Sequence, residues 1–133
     1  MSGQAPTHFL NLDLVLRSSS DLTPLAEHFG EHVLVLSNGE AEGTFLLALE
    51  TSIANPSPEA CIRHFLRLVD AMPPAQRAVW DHCSSRIFDF GFQAGCNASP
   101  QQLKIEPTVL GMLAERGVTV EVTLYAYQCD AEA

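Results

Sequence analysis

Two hydrophobic periods alternate along the chain and set out its elements. From Phe9 the period is two. Leu10, Leu12, Leu14 and Leu16 fall on one face, and Asn11, Asp13, Val15 and Arg17 on the other, the pattern of a half-buried strand. Ser18-Ser19-Ser20-Asp21 offers N-cap groups for a short helix, with Pro24 in its first turn and Gly30 as the C′ residue. Residues 33–36 predict a second strand, stopped by the hairpin-type signal Ser37-Asn38-Gly39, and residues 44–50 predict a third. That third segment is rich enough in leucine for a helix to be the competing reading. After a loop over 51–57, Ser57-Pro58-Glu59 opens the strongest helix. Its stripe is Cys61, Ile62, Phe65, Leu66, Leu68, Val69 and Met72, with Arg63, Arg67 and Asp70 opposite. Pro73-Pro74 ends it, and residues 75–83 predict another short helix carrying Val79 and Trp80.

The last third of the chain restates the first. Residues 86–92 form a strand with Phe88, Phe90 and Phe92 on one side and Ile87, Asp89 and Gly91 on the other. A polar loop over 93–104 leads to a helix over 107–116 carrying Val109, Leu110 and Leu113. The closing strand, 118–125, places Val118, Val120, Val122 and Leu124 toward the core and Glu121, Thr123 and Tyr125 opposite. Leu25-Ala26-Glu27 before Gly30 is matched by Leu113-Ala114-Glu115 before Gly117. Strands with one clean apolar face imply a sheet covered by helices on one side. The expectation is an α+β fold, a single-domain ferredoxin-like sandwich built from two βαβ halves. It has an antiparallel or mixed sheet, helices on one face, and a hairpin and helix pair between the halves. One domain spans 1–133, with 1–7 and 128–133 as flexible tails.

Several of these positions together carry a family likeness. They are the helix end Leu25 to Gly30, the middle strand ending near Leu49-Glu50, and the helix from Pro58 to Met72. The likeness closes on Leu103, Ile105-Glu106-Pro107, Val109-Leu110, Leu113-Ala114, Gly117-Val118, Val120, Val122 and Leu124-Tyr125. In these the chain resembles the bacterial family catalogued as domain of unknown function 4279. Asn38-Gly39-Glu40-Ala41-Glu42-Gly43 stands where that family's Pro and Gly-rich segment is expected, and Phe45 stands in place of a Trp. The resemblance implies a compact α+β domain among small bacterial proteins encoded beside toxins as immunity or accessory factors. It transfers no catalytic residue.

Composition narrows the function classes. A chain of 133 residues, 47% apolar and 17% charged, is long enough for one hydrophobic core. Sixteen acidic residues against seven basic give a formal net charge of -9, which disfavours nonspecific contact with nucleic acid or an anionic membrane. No apolar run approaches the roughly 20 residues needed to span a bilayer. Residues 1–8 carry no secretory pattern, so a cytoplasmic setting is expected. Cys61, Cys83, Cys96 and Cys129 lack the spacing of a disulfide scaffold and read as reduced thiols.

Candidate chemistry centres on Asp13 and Asp89. If the two halves pair about a pseudo-twofold axis, their first strands are neighbours and both carboxylates lie on the uncovered face. Close carboxylates raise one pKa, and can share a proton or hold a hard cation. An outward Asp is equally ordinary on a solvated sheet. Cys61 and His64 sit at i, i+3 and His82-Cys83 are adjacent, but paired zinc-type spacing is missing, so no metal site is expected. Cys96, in Gly95-Cys96-Asn97, is expected to be the most accessible thiol. Phosphate-loop, dinucleotide and metalloprotease motifs are absent, and no cofactor is expected. The uncovered face, with Asp13, Val15, Asp89, Glu121, Thr123 and Tyr125 joined by Leu34, Leu36 and Thr119, reads as a binding surface. The sequence thus predicts a non-enzymatic domain that binds a protein partner or forms a homodimer, with no nucleic-acid or membrane role. The competing class is a small metal-dependent enzyme or metal-binding protein using Asp13 and Asp89.

Overall fold

The computed structural model describes residues 5–97 and 99–127; the expected tail over 128–133, with Cys129, lies outside the described residues. The elements run β1 (His8–Ser18), α1 (Thr23–Phe29), a 3-10 turn (Gly30–His32), β2 (Val33–Ala41), β3 (Thr44–Thr51), α2 (Pro58–Asp70), α3 (Pro74–His82), β4 (Ser85–Gln93), α4 (Pro107–Glu115) and β5 (Thr119–Tyr125). They build one small α+β domain with a five-strand mixed sheet ordered β2-β3-β1-β4-β5. Every pairing is antiparallel except β4 with β5, which is parallel. The leucine-rich third segment is a strand, because Leu47 and Leu49 are needed on the buried face beside Leu14 and Leu16.

Local chemistry explains where the helices begin and end. The Asp21 carboxylate accepts from the Thr23 N–H at 3.0 Å and the Thr23 hydroxyl at 2.8 Å, ahead of Pro24. Gly30, at φ 56°, stops α1. Ser57 caps α2 by accepting from the Ala60 N–H at 3.1 Å, and Pro58 fills the first helical position.

Three expectations are corrected. First, the hairpin does not turn at Ser37-Asn38-Gly39. β2 continues to Ala41, and the chain turns at Glu42 (φ 55°) and Gly43 (φ 84°), the two positive φ values of a tight two-residue hairpin. The Asn-Gly pair is carried inside β2, beyond a register shift between Val35 and Ser37. Second, Leu10 leaves the core face. A shift between Phe9 and Asn11 turns Leu10 outward and seats Phe9 on Phe92, ring centres 5.4 Å apart. Third, the two halves are unlike. In β4-α4-β5 the parallel strands are neighbours, whereas β1 and β2, parallel through their common partner, are separated by β3. No pseudo-twofold axis relates the two halves, but their first strands, β1 and β4, are neighbours as expected, with Asp13 paired to Asp89.

The core lies between one sheet face and α1, α2 and α3. Leu12, Leu14, Leu16, Phe88 and Phe90 are fully buried against Leu25, Phe29, Phe65 and Trp80. Phe65 is the bridge, edge-on to Phe29 at 6.3 Å and tilted against Phe88 at 5.6 Å. Arg86 ties the far corner, donating to the carbonyls of Trp80, Cys83 and Gly117 while its guanidinium lies 5.9 Å over the Trp80 ring. Residues 5–7, expected to belong to a free tail, are held. The Gly95 N–H donates to Thr7 Oγ1 at 3.0 Å and the Cys96 N–H to the Ala5 carbonyl at 2.9 Å. Among the described residues, no helix is long and apolar enough to cross a membrane.

Candidate functional site

The uncovered sheet face is built by alternation on five strands, and the pairing register decides which side chains meet. Directly opposed residues run Leu34, Glu50, Asp13, Asp89 and Glu121 from β2 to β5. Four carboxylates therefore stand side by side on four consecutive strands. Flanking rows are Ala48, Val15, Ile87 and Thr119 on one side and Asn11, Gly91 and Thr123 on the other, with Gln93 and Tyr125 beyond. All six residues expected on the binding face (Asp13, Val15, Asp89, Glu121, Thr123 and Tyr125) lie on this one surface. Glu50 is the member sequence reasoning passed over. Its alternation with Leu47 and Leu49 points it away from the core, but only the β1–β3 register sets it against Asp13.

Opposed side chains on neighbouring strands have Cβ atoms about 4.5–5.5 Å apart, so like charges there repel. Asp13 registers this. Its carboxyl is pushed from the usual 3.8 up to about 6, first by burial and then by the charges of Glu50 and Asp89. The Asp89 carboxylate accepts the Thr123 hydroxyl at 2.8 Å. None of the four carboxylates forms an ion pair among the described residues. Arg17 lies on the same face four positions further along β1, about 13 Å from Asp13 at the rise of a strand.

A shallow depression of about 340 Å³ opens beside the row. Gly91 is its floor, and Tyr125 leans over it, since a Cβ at Gly91 would lie 3.5 Å from the ring. Leu10 walls it; Asp13 and Glu50 contribute carboxylates and Gln93 an amide. Asp89 and Glu121 stay outside, so the acidic row is spread along the sheet and does not converge into one cup. A larger groove of about 480 Å³ lies between α2 and α4, with Ile62, Leu66, Val109 and Met112 inside and charged residues at its rim.

The thiols and imidazoles are engaged separately. Cys61 is buried beside Thr51, with Sγ to Oγ1 at 3.4 Å, while His64 reaches the His32 carbonyl at 2.7 Å. His82 lies 3.3 Å from the Ser19 hydroxyl, and Cys83 is buried with its thiol toward the Val79 carbonyl at 3.5 Å. Burial pushes both the Cys61 and Cys83 thiols upward, away from the reactive thiolate. Cys96 is half-buried. No three acidic, imidazole or thiol groups are grouped to hold a metal ion among the described residues. No family model matches the chain, and no curated protein or solved structure shows significant similarity to it.

Proposed function

We propose that the chain is a non-catalytic binding domain, of the immunity or accessory kind, whose open sheet face receives a basic segment of a protein partner. The observation that carries this is the in-register row Glu50, Asp13, Asp89 and Glu121, which has no ion-pair partner among the described residues. Strands are about 4.8 Å apart, so the row extends about 15 Å across the sheet. A helix laid over it presents a side chain every turn of about 5.4 Å, close to one cation per carboxylate. Such a partner would relieve the repulsion inside the row and be drawn in by it, with an on-rate that falls as salt rises. A cytoplasmic setting and membership of the family it resembles belong to the same proposal. So does a ferredoxin-like reading of β1 to β4, supported by the β2-β3-β1-β4 order and the split β1-α1-β2 unit, with α4 and β5 appended.

The second reading is a metal or small-cation site at Asp13 and Asp89, favoured by the raised Asp13 pKa and by the depression next to it. Thermal unfolding with Mg²⁺, Mn²⁺, Ca²⁺ or Zn²⁺ tests it, because a ligand at 100 times its dissociation constant stabilises by about 2.7 kcal/mol. The main test is a pull-down from extracts of the native host with the wild-type chain and with Asp13→Asn/Asp89→Asn. The proposal expects a basic partner released by salt and lost from the double variant. A partner held equally by both proteins would sink it.

A further inference from the structure

The apolar row of β5 contradicts the simplest reading of its own sequence. Register places Val120, Val122 and Leu124 beside Phe88, Phe90 and Phe92, on the face that the helices cover elsewhere. The three phenylalanines are buried, yet Val120, Val122 and Leu124 are 37%, 52% and 62% exposed, the last two beside a shallow depression flanked by residues 99–103. The neighbouring α4 also leaves Leu110 exposed. β5 is also a sheet edge, carrying no Pro, Lys or bulge. The opposite edge, β2, is interrupted by a register shift and carries Gly39 and Glu40. Sheet edges are ordinarily blunted by such devices, and β5 has only one outward charge, Glu121.

We infer that β5 is the seam of a twofold homodimer, pairing antiparallel with β5 of a second copy to give a continuous ten-stranded sheet. The strand is complementary to itself in one register. Centred on Val122, the pairing sets Val122 against Val122, Val120 against Leu124 and Thr119 against Tyr125, and gives Glu121 a Thr123 to face. Both helix layers then lie on the same side, and each exposed apolar residue meets another. Centring on Glu121 would set two carboxylates face to face, and centring on Thr123 would set Val120 beyond the strand's end, against the small Ala126. The self-complementary register is what selects a second copy over a foreign strand. The seam holds a single charged residue per copy in a chain of net charge -9, so the dimer tightens with added salt, opposite to the acidic-face partner.

Sedimentation equilibrium on the full chain tests this, with Val122→Lys as the disrupting variant and circular dichroism to follow its folding. The wild type is expected to be a dimer, and Val122→Lys to weaken dimerisation by at least about tenfold through two ammonium groups at the axis. In a Cys96→Ser/Cys129→Ser background, Val122→Cys is expected to cross-link to its copy on oxidation, and Val120→Cys is not, because only position 122 meets itself. A wild-type monomer throughout the concentration range overturns the inference. So does a dimer untouched by Val122→Lys, or cross-linking at 120 in place of 122. The cysteine pair decides the matter if Val122→Lys does not fold.

Discussion

Asp13→Asn should make the protein more stable at neutral pH. The side chain is nearly isosteric, and among the described residues its carboxylate accepts no hydrogen bond that an amide would lose. The folded carboxyl titrates near 6 against 3.8 in its ordinary environment. Below pH 3.8 it is protonated in both folded and unfolded chains and contributes no difference. As pH rises from 3.8 to 6 the unfolded chain releases its proton first, so stability falls through that window and levels off above it. A shift of about two units corresponds to about 3 kcal/mol if unscreened. Because the carboxylate is half in solvent, screening reduces this to about 1–2 kcal/mol. Urea unfolding from pH 3.5 to 7.5 should show the variant equal to wild type at the acid end and about 1–2 kcal/mol more stable at pH 7. Its melting temperature should be about 3–8 °C higher there. A variant that is less stable at pH 7, or a difference that does not change with pH, would refute the reasoning. Glu50→Gln should act in the same direction with a smaller effect, by removing one of the two charges that hold the Asp13 carboxyl up.

Phe65→Ala, which empties the bridge between Phe29 and Phe88, should cost about 3–5 kcal/mol in urea unfolding. Gly95→Ala would drive a methyl group into the Ala5 carbonyl; it should cost about 1–3 kcal/mol and open residues 5–7 to proteolysis. Asn11→Ala removes the carbonyl that accepts both the Thr51 hydroxyl and the Leu12 N–H at 2.8 Å, and should cost about 1–3 kcal/mol by the same unfolding assay. Trp80, the single tryptophan and 1% exposed, should emit in the blue when folded and shift to the red on unfolding, which makes its fluorescence the probe for all of these measurements.

Local chemistry made much of the fold legible in the sequence. Ser57-Pro58 marks a helix start because it satisfies or removes the first free N–H groups, and alternation in β1, β4 and β5 shows which residues share a face. Pairing is where legibility ended. The choice between Asn38-Gly39 and Glu42-Gly43 as the turn depends on how β2 meets β3, since a local preference for positive φ yields to the register that buries Leu47 and Leu49. The bulge at Leu10 is likewise set by Phe9 finding Phe92. The acidic face shows the same limit. Asp13, Asp89 and Glu121 each stand at an outward position in their own strand, but that they form one row with Glu50 is a property of strand order. The exposed flank of β5 was hidden for the same reason, because alternation tells which side a residue takes and not whether anything lies over it.

The place of β1 has a consequence for how the chain is made. Of the five strands it is the earliest to leave the ribosome, and it is the middle strand of the finished sheet, flanked by β3 and β4. Its leucines acquire one neighbour when residues up to Thr51 have emerged, and the other only when β4, beyond both α2 and α3, has followed. Synthesis adds about 5–20 residues per second, so Leu12, Leu14 and Leu16 spend seconds with half their lateral pairing missing. The nascent chain is thus most exposed to aggregation during the interval in which α2 and α3 are being translated, and the sheet is completed outward from β1, first by β4 and then by the edge strand β5.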